Sequence, residues 1–121
     1  MSFVGRFLSR FAESDESRMT EEVRDWAARV PGTTCIVDAP LRKQARIAGV
    51  VRKIIIWPRE GDEAEYLEAF ISDGTGEVSA AWTGRRSIPG LSLGTKLVIE
   101  GLLYDDRGMR TITNPKFEFV T

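Results

Sequence analysis

The spacing of apolar and polar residues in this chain changes its rhythm near residue 33. Before that point the apolar positions keep helical time. Phe3, Val4, Phe7, Leu8 and Phe11 fall at i, i+1, i+4, i+5 and i+8, one stripe of a helix, with Arg6 and Arg10 off it. Ser14-Asp15-Glu16-Ser17 interrupts the stripe with cap-forming residues. A second pattern puts Met19, Val23, Trp26, Ala27 and Val30 on one face, and Pro31-Gly32 stops it. One broken helix or two short ones are expected over residues 1–30. The Phe stripe either packs on the rest of the fold or forms a partner or dimer surface, because that much apolar area needs covering.

After residue 33 the period shortens to that of strands. Residues 33–37 read as a short edge strand, and Asp38-Ala39-Pro40 as a turn. Residues 45–57 read as one long strand. Ile47 and Val51 share a face around Gly49, and Ile54-Ile55-Ile56 then breaks the phase. A glycine and a phase slip inside a strand predict a bulge or sharp bend. A second strand over 64–72 sets Leu67, Ala69 and Ile71 on one side and Tyr66, Glu68 and Phe70 on the other. Asp73-Gly74-Thr75-Gly76 is a tight hairpin turn, with Asp73 capping local amides. The third strand alternates Val78, Ala80 and Trp82 with Ser79, Ala81 and Thr83. Ile88, Leu91 and Leu93 are read as a short cap over the barrel base. Strands over 95–104 and 109–113 follow, joined at Asp105-Asp106-Arg107-Gly108. Asn114-Pro115 bends the chain into an extended tail over 116–120. Short strands joined by Gly/Asp turns in under 90 residues favour a small barrel over a sandwich.

Composition removes several function classes. The chain has 121 residues, no histidine and one cysteine, Cys35. The usual general base and the usual zinc ligand are therefore missing, and no internal disulfide is possible. No Gly-rich phosphate loop appears. The expectation is a non-enzymatic protein without a cofactor. No apolar run approaches the roughly 20 residues a membrane helix needs, and the amino end lacks signal-peptide features. A cytoplasmic location is expected. Net charge is −1, from 17 basic and 18 acidic residues, so any basic surface is a local patch.

Residues 45–119 resemble nucleic-acid-binding OB domains of the anticodon-binding type. They look most like the wedge domain of the branched-DNA helicase RecG and like small stand-alone actinobacterial OB proteins. The motifs are Ile47-x-Gly49-x-Val51, Ile71-x-Asp73-Gly74-Thr75-Gly76, Trp82, Gly94-Thr95-Lys96-Leu97-Val98-Ile99-Glu100-Gly101 and Asn114-Pro115-Lys116-Phe117-Glu118. The run Trp82-Thr83-Gly84-Arg85-Arg86-Ser87-Ile88-Pro89-Gly90 matches the stand-alone type. The fold class implied is all-β, a five-stranded OB-fold Greek-key barrel with an N-terminal α-helical extension. Residues 1–32 are the extension and 33–121 the barrel. No helicase motor is present, so helicase activity does not carry over.

In such barrels the ligand lies across strands two and three, flanked by the loops joining strands 1–2 and 4–5. Rings stack bases there and cations track phosphates. The candidate contacts are Tyr66 and Phe70 as a stacking platform, Trp57 at the rim, and Arg85-Arg86 after strand three. Arg52, Lys53 and Arg59 near the first loop, and Arg107 and Arg110 near the second, extend a phosphate track. Each has a plainer reading: helices covering Tyr66 and Phe70, barrel closure for Trp57, and acidic partners for the arginines. Glu60, Asp62, Glu63, Asp105 and Asp106 oppose a polyanion in those loops. Trp82 shares a face with Val78 and Ala80 and is read as core. The expected function is non-catalytic binding of single-stranded or junction-like DNA or RNA. The alternative is a protein-interaction or oligomerisation module using the barrel or the Phe3/Phe7/Phe11 helix.

Overall fold

The structure, a computed structural model, describes the backbone of residues 3–57 and 65–120 and the side chains of 16–57 and 65–120. Helix α1 (Phe3–Arg29) leads to a 3₁₀ turn (Ile36–Asp38). The strands follow: β1 (Lys43–Trp57), β2 (Tyr66–Ser72), β3 (Glu77–Thr83), β4 (Lys96–Asp106), β5 (Met109–Thr113) and β6 (Lys116–Phe119).

β1 is long enough to serve two neighbours. Its first part pairs with β4, from Lys43↔Leu103 to Val50↔Lys96. Its second part pairs with β2, from Val50↔Ser72 to Trp57↔Tyr66. β2 and β3 form the central hairpin. β3 runs parallel to β5 over Ser79–Ala81, and β5 returns antiparallel to β4. The ring β1-β2-β3-β5-β4 thus closes on β1. It is an OB-fold barrel.

Two features of β1 allow the closure. The register with β2 shifts between Val51 and Lys53, so Arg52 is the bulged residue, between Gly49 and the phase break at Ile54-Ile55-Ile56. At Gly49 a Cβ would lie 2.5 Å from Ile71 Cγ2 and 2.9 Å from the Ser72 carbonyl oxygen. Only glycine lets the two strands approach that closely. The interior is filled from every wall, by Ile47, Val51, Leu67, Ala69, Ile71, Val78, Ala80, Leu97, Ile99, Leu103 and Ile112. Trp82 joins them, as alternation predicts. Its indole N–H donates to the Pro115 carbonyl (3.2 Å), and its ring meets Phe117 edge-on at 5.5 Å.

Several expectations are corrected. The amino-terminal segment is one continuous helix, not a broken one. Ser and Asp inside a helix cost only about 0.5 kcal/mol each, too little to break it. Residues 33–37 do not form an edge strand. Thr34 N–H donates to the Arg46 carbonyl (2.9 Å), and the chain then turns because the Asp73 carboxylate takes the Ile36 N–H (2.8 Å). The tail is a true strand, β6, laid on β4 from Leu97↔Phe119 to Glu100↔Lys116. Asn114, at φ +51, makes the reversal that delivers it. Ile88 is buried and Leu91 half-buried as a cap, but Leu93 is 67% exposed. The turn at Gly94, φ +86, carries it outward. Met19 is also exposed, since α1 beds on the barrel only further along, through Trp26, Ala27 and Val30.

Candidate nucleic-acid interface

Strand alternation builds the outer wall. Because Leu67, Ala69 and Ile71 point inward, Tyr66, Glu68 and Phe70 point out, and each is half-buried. Strand register sets Trp57 beside Tyr66, Ile55 beside Glu68 and Lys53 beside Phe70. On the other flank stand Thr83, Ala81 and Ser79. Trp57 stacks on Tyr66 with centroids 6.4 Å apart and planes 24° from parallel. The Lys53 ammonium lies 5.6 Å from the centre of the Phe70 ring. Tyr66 and Phe70 are four residues apart on one strand, about 13 Å.

Glu68 occupies the gap between the two rings. Its Oε1 accepts the Trp57 indole N–H (3.0 Å) and its Oε2 accepts the Ser79 hydroxyl (2.6 Å). Beyond β3 the wall continues through Thr111 and Thr113 of β5 to Tyr104 of β4. The Tyr104 and Thr113 hydroxyls share a hydrogen bond of 2.6 Å.

The arginines divide. Gly84 N–H donates to the Glu65 carbonyl (2.8 Å), which holds Arg85 and Arg86 at the Trp57/Tyr66 end of the wall. Arg86 Nε lies 3.3 Å from the Glu65 carboxylate, with both side chains exposed. Such a pair contributes little to stability and exchanges readily for another anion. Arg85 is exposed and makes no ion pair among the described residues. Arg107 sits in the β4–β5 turn at φ +55, exposed, beside Asp105 and Asp106.

The other two candidate arginines among the described residues stand apart from the ring row. Arg52, at the bulge, lines a groove of about 540 Å³ with Met19, Val23, Val50 and Leu93 on the helix side. Arg110 is a strut: its Nη1 donates to the carbonyls of Ile36 (2.6 Å) and Ala39 (3.4 Å). Arg59 lies outside the described residues, as do Glu60, Asp62 and Glu63 of the same loop. So the structure brings together Trp57, Tyr66, Phe70, Arg85 and Arg86, and leaves Arg52 and Arg110 elsewhere.

α1 rests on a different wall. Trp26, Ala27 and Val30 pack on Ala48, Val98 and Val120, and the Lys96 ammonium lies 5.0 Å from the centre of the Trp26 ring. Arg24 Nη2 donates to the Gly74 carbonyl (2.9 Å), tying the helix to the hairpin tip. Tyr66 and Phe70 are each half-buried. The side chains of Phe3, Phe7 and Phe11 lie outside those described. Near the hairpin, the Cys35 thiol donates to the Asp38 carboxylate (3.0 Å). That hydrogen bond, helped by desolvation, pushes the thiol above its ordinary range.

Sequence reasoning passed over two wall residues. Glu68 carried a signal, its place between two outward rings, but alternation says nothing about the indole and hydroxyl that clamp it. Tyr104 carried none, because its wall is set by the β4–β5 register.

No family model matches the chain, and no curated protein does. Among solved structures it is similar to a chain of a replication protein A heterotrimer bound to ssDNA, at 17% identity and a TM-score of 0.49. That match covers 77% of this chain and 69% of the other. No described helix is long and apolar enough to cross a membrane.

Proposed function

We propose that this protein is a non-catalytic OB barrel of the cytoplasm that binds single-stranded or junction-like nucleic acid. This is the role implied by its resemblance to the RecG wedge and the stand-alone actinobacterial type. The observation that carries the reading is the outward ring row Trp57, Tyr66 and Phe70 on one wall, with α1 bedded on another. Bases stack on Tyr66 and Phe70, and Trp57 backs Tyr66. Phosphates meet Lys53 at one end and Arg85 and Arg86 at the other, with Arg107 at the β4–β5 turn. Arg86 exchanges its exposed Glu65 partner for a phosphate.

The test is a titration of fluorescent single-stranded DNA and RNA by anisotropy at two salt concentrations. Binding is expected at low salt and should weaken as salt rises. Phe70→Ala and Tyr66→Ala should each cost about 1–3 kcal/mol of binding free energy. Absence of binding at low salt, or full affinity in both variants, would end the proposal.

A further inference from the structure

Resting on that reading, we infer that Glu68 selects the base bound at the centre of the wall and that the base is guanine. A carboxylate amid a nucleic-acid surface is costly unless it has work to do, because it repels every phosphate nearby. Here it is fixed rather than mobile. One oxygen takes the Trp57 indole N–H at 3.0 Å and the other the Ser79 hydroxyl at 2.6 Å. An ionised carboxylate only accepts hydrogen bonds, at about four lone-pair positions. Two are used, so each oxygen keeps acceptor capacity, and the side chain is only half-buried.

The rings decide what reaches it. Tyr66 and Phe70 flank Glu68 on the same face of the same strand. A base stacked on either ring turns an edge toward the carboxylate. The phosphates are repelled from the centre and run along the margin, where Lys53, Arg85 and Arg86 stand. The base edge must therefore offer donors to two adjacent acceptors. Guanine does so on its Watson–Crick edge, with N1–H beside the N2 amino group. Cytosine and adenine set one amino group beside a ring acceptor, and thymine or uracil sets one N–H between two carbonyls. Those acceptors face the carboxylate unfavourably. The clamp by Trp57 and Ser79 holds both oxygens in place for the paired contact.

The test uses the full-length protein and an oligothymidylate of about twelve nucleotides, within the span of one such barrel. Three versions are compared: all thymine, one central guanine, and one central hypoxanthine, which keeps N1–H but lacks the amino group. The guanine strand should bind about tenfold or more tighter than the thymine strand, with hypoxanthine between them. In Glu68→Gln the guanine-to-thymine ratio should fall to about two or less, since an amide offers a single acceptor oxygen. Guanine and thymine strands bound equally by the unaltered protein would overturn the inference and leave nucleic-acid binding standing. So would hypoxanthine equal to guanine, or the ratio surviving in a folded Glu68→Gln. If no strand binds at all, the proposed function falls and takes this inference with it. The unaltered protein alone decides the matter should the variant fail to fold, which thermal melting by circular dichroism would reveal.

Discussion

Asp73 carries more of the local architecture than any other turn residue described here. Its side chain is 2% exposed, yet its carboxylate accepts from Ile36 N–H (2.8 Å), Thr75 N–H (2.9 Å), the Thr75 hydroxyl (2.6 Å) and Gly76 N–H (3.2 Å). Asp73→Ala would strand those donors, some of them out of reach of water. The loss should be about 2–3 kcal/mol of folding stability in urea unfolding, with Asp73→Asn keeping part of it through its remaining oxygen. Half of this residue's role was legible. An Asp before Gly-Thr-Gly announces local amide capping. The Ile36 N–H is 37 residues away, and no local pattern points to it. The same limit applies to Glu68, whose partners Trp57 and Ser79 each lie 11 residues off.

Among the elements, β1 was the most readable, because its oddities are printed in its residues. Gly49 and the broken phase at 54–56 announce a bent strand, and the bend is where β1 passes from pairing with β4 to pairing with β2. Gly49→Ala tests that directly. The added methyl meets backbone as well as a side chain, since the Ser72 carbonyl oxygen lies 2.9 Å away. The cost should be about 1–3 kcal/mol, read as a lowered urea midpoint, while Gly84→Ala meets open space and costs only its positive φ. The elements misread were those decided by tertiary partners. β6 has strand-forming residues, but its pairing depends on β4 being free to receive it. The continuity of α1 was hidden because capping residues signal an end only where nothing else holds the helix together. Residues 33–37 carry strand-like composition and are pulled into a turn by a distant carboxylate.

For the molecule as a whole, the modest cationic margin sets how binding should respond to salt. Lys53, Arg85, Arg86 and Arg107 stand around the wall against Glu65, Glu68, Asp105 and Asp106. The described cations of this wall can neutralise at most a few phosphates. The logarithm of affinity for a single strand should fall with the logarithm of salt at a slope of about −3 or shallower. A slope steeper than about −5 would require cations beyond those on this wall. Fold and function differ in legibility for a physical reason. Closure of the barrel is written in alternation, glycines and turns spread over the whole chain. The ligand is written in a few side chains whose neighbours are known only after the strands pair. The pairing of Lys43–Val50 with the stretch from Lys96 to Leu103 also bears on how the protein is made. A growing polypeptide cannot seal its ring until β4 has left the ribosome. Until then Ile47 lacks its ladder partner Ile99, and nascent chains released early would bare greasy, unpaired edges to chaperones and proteases.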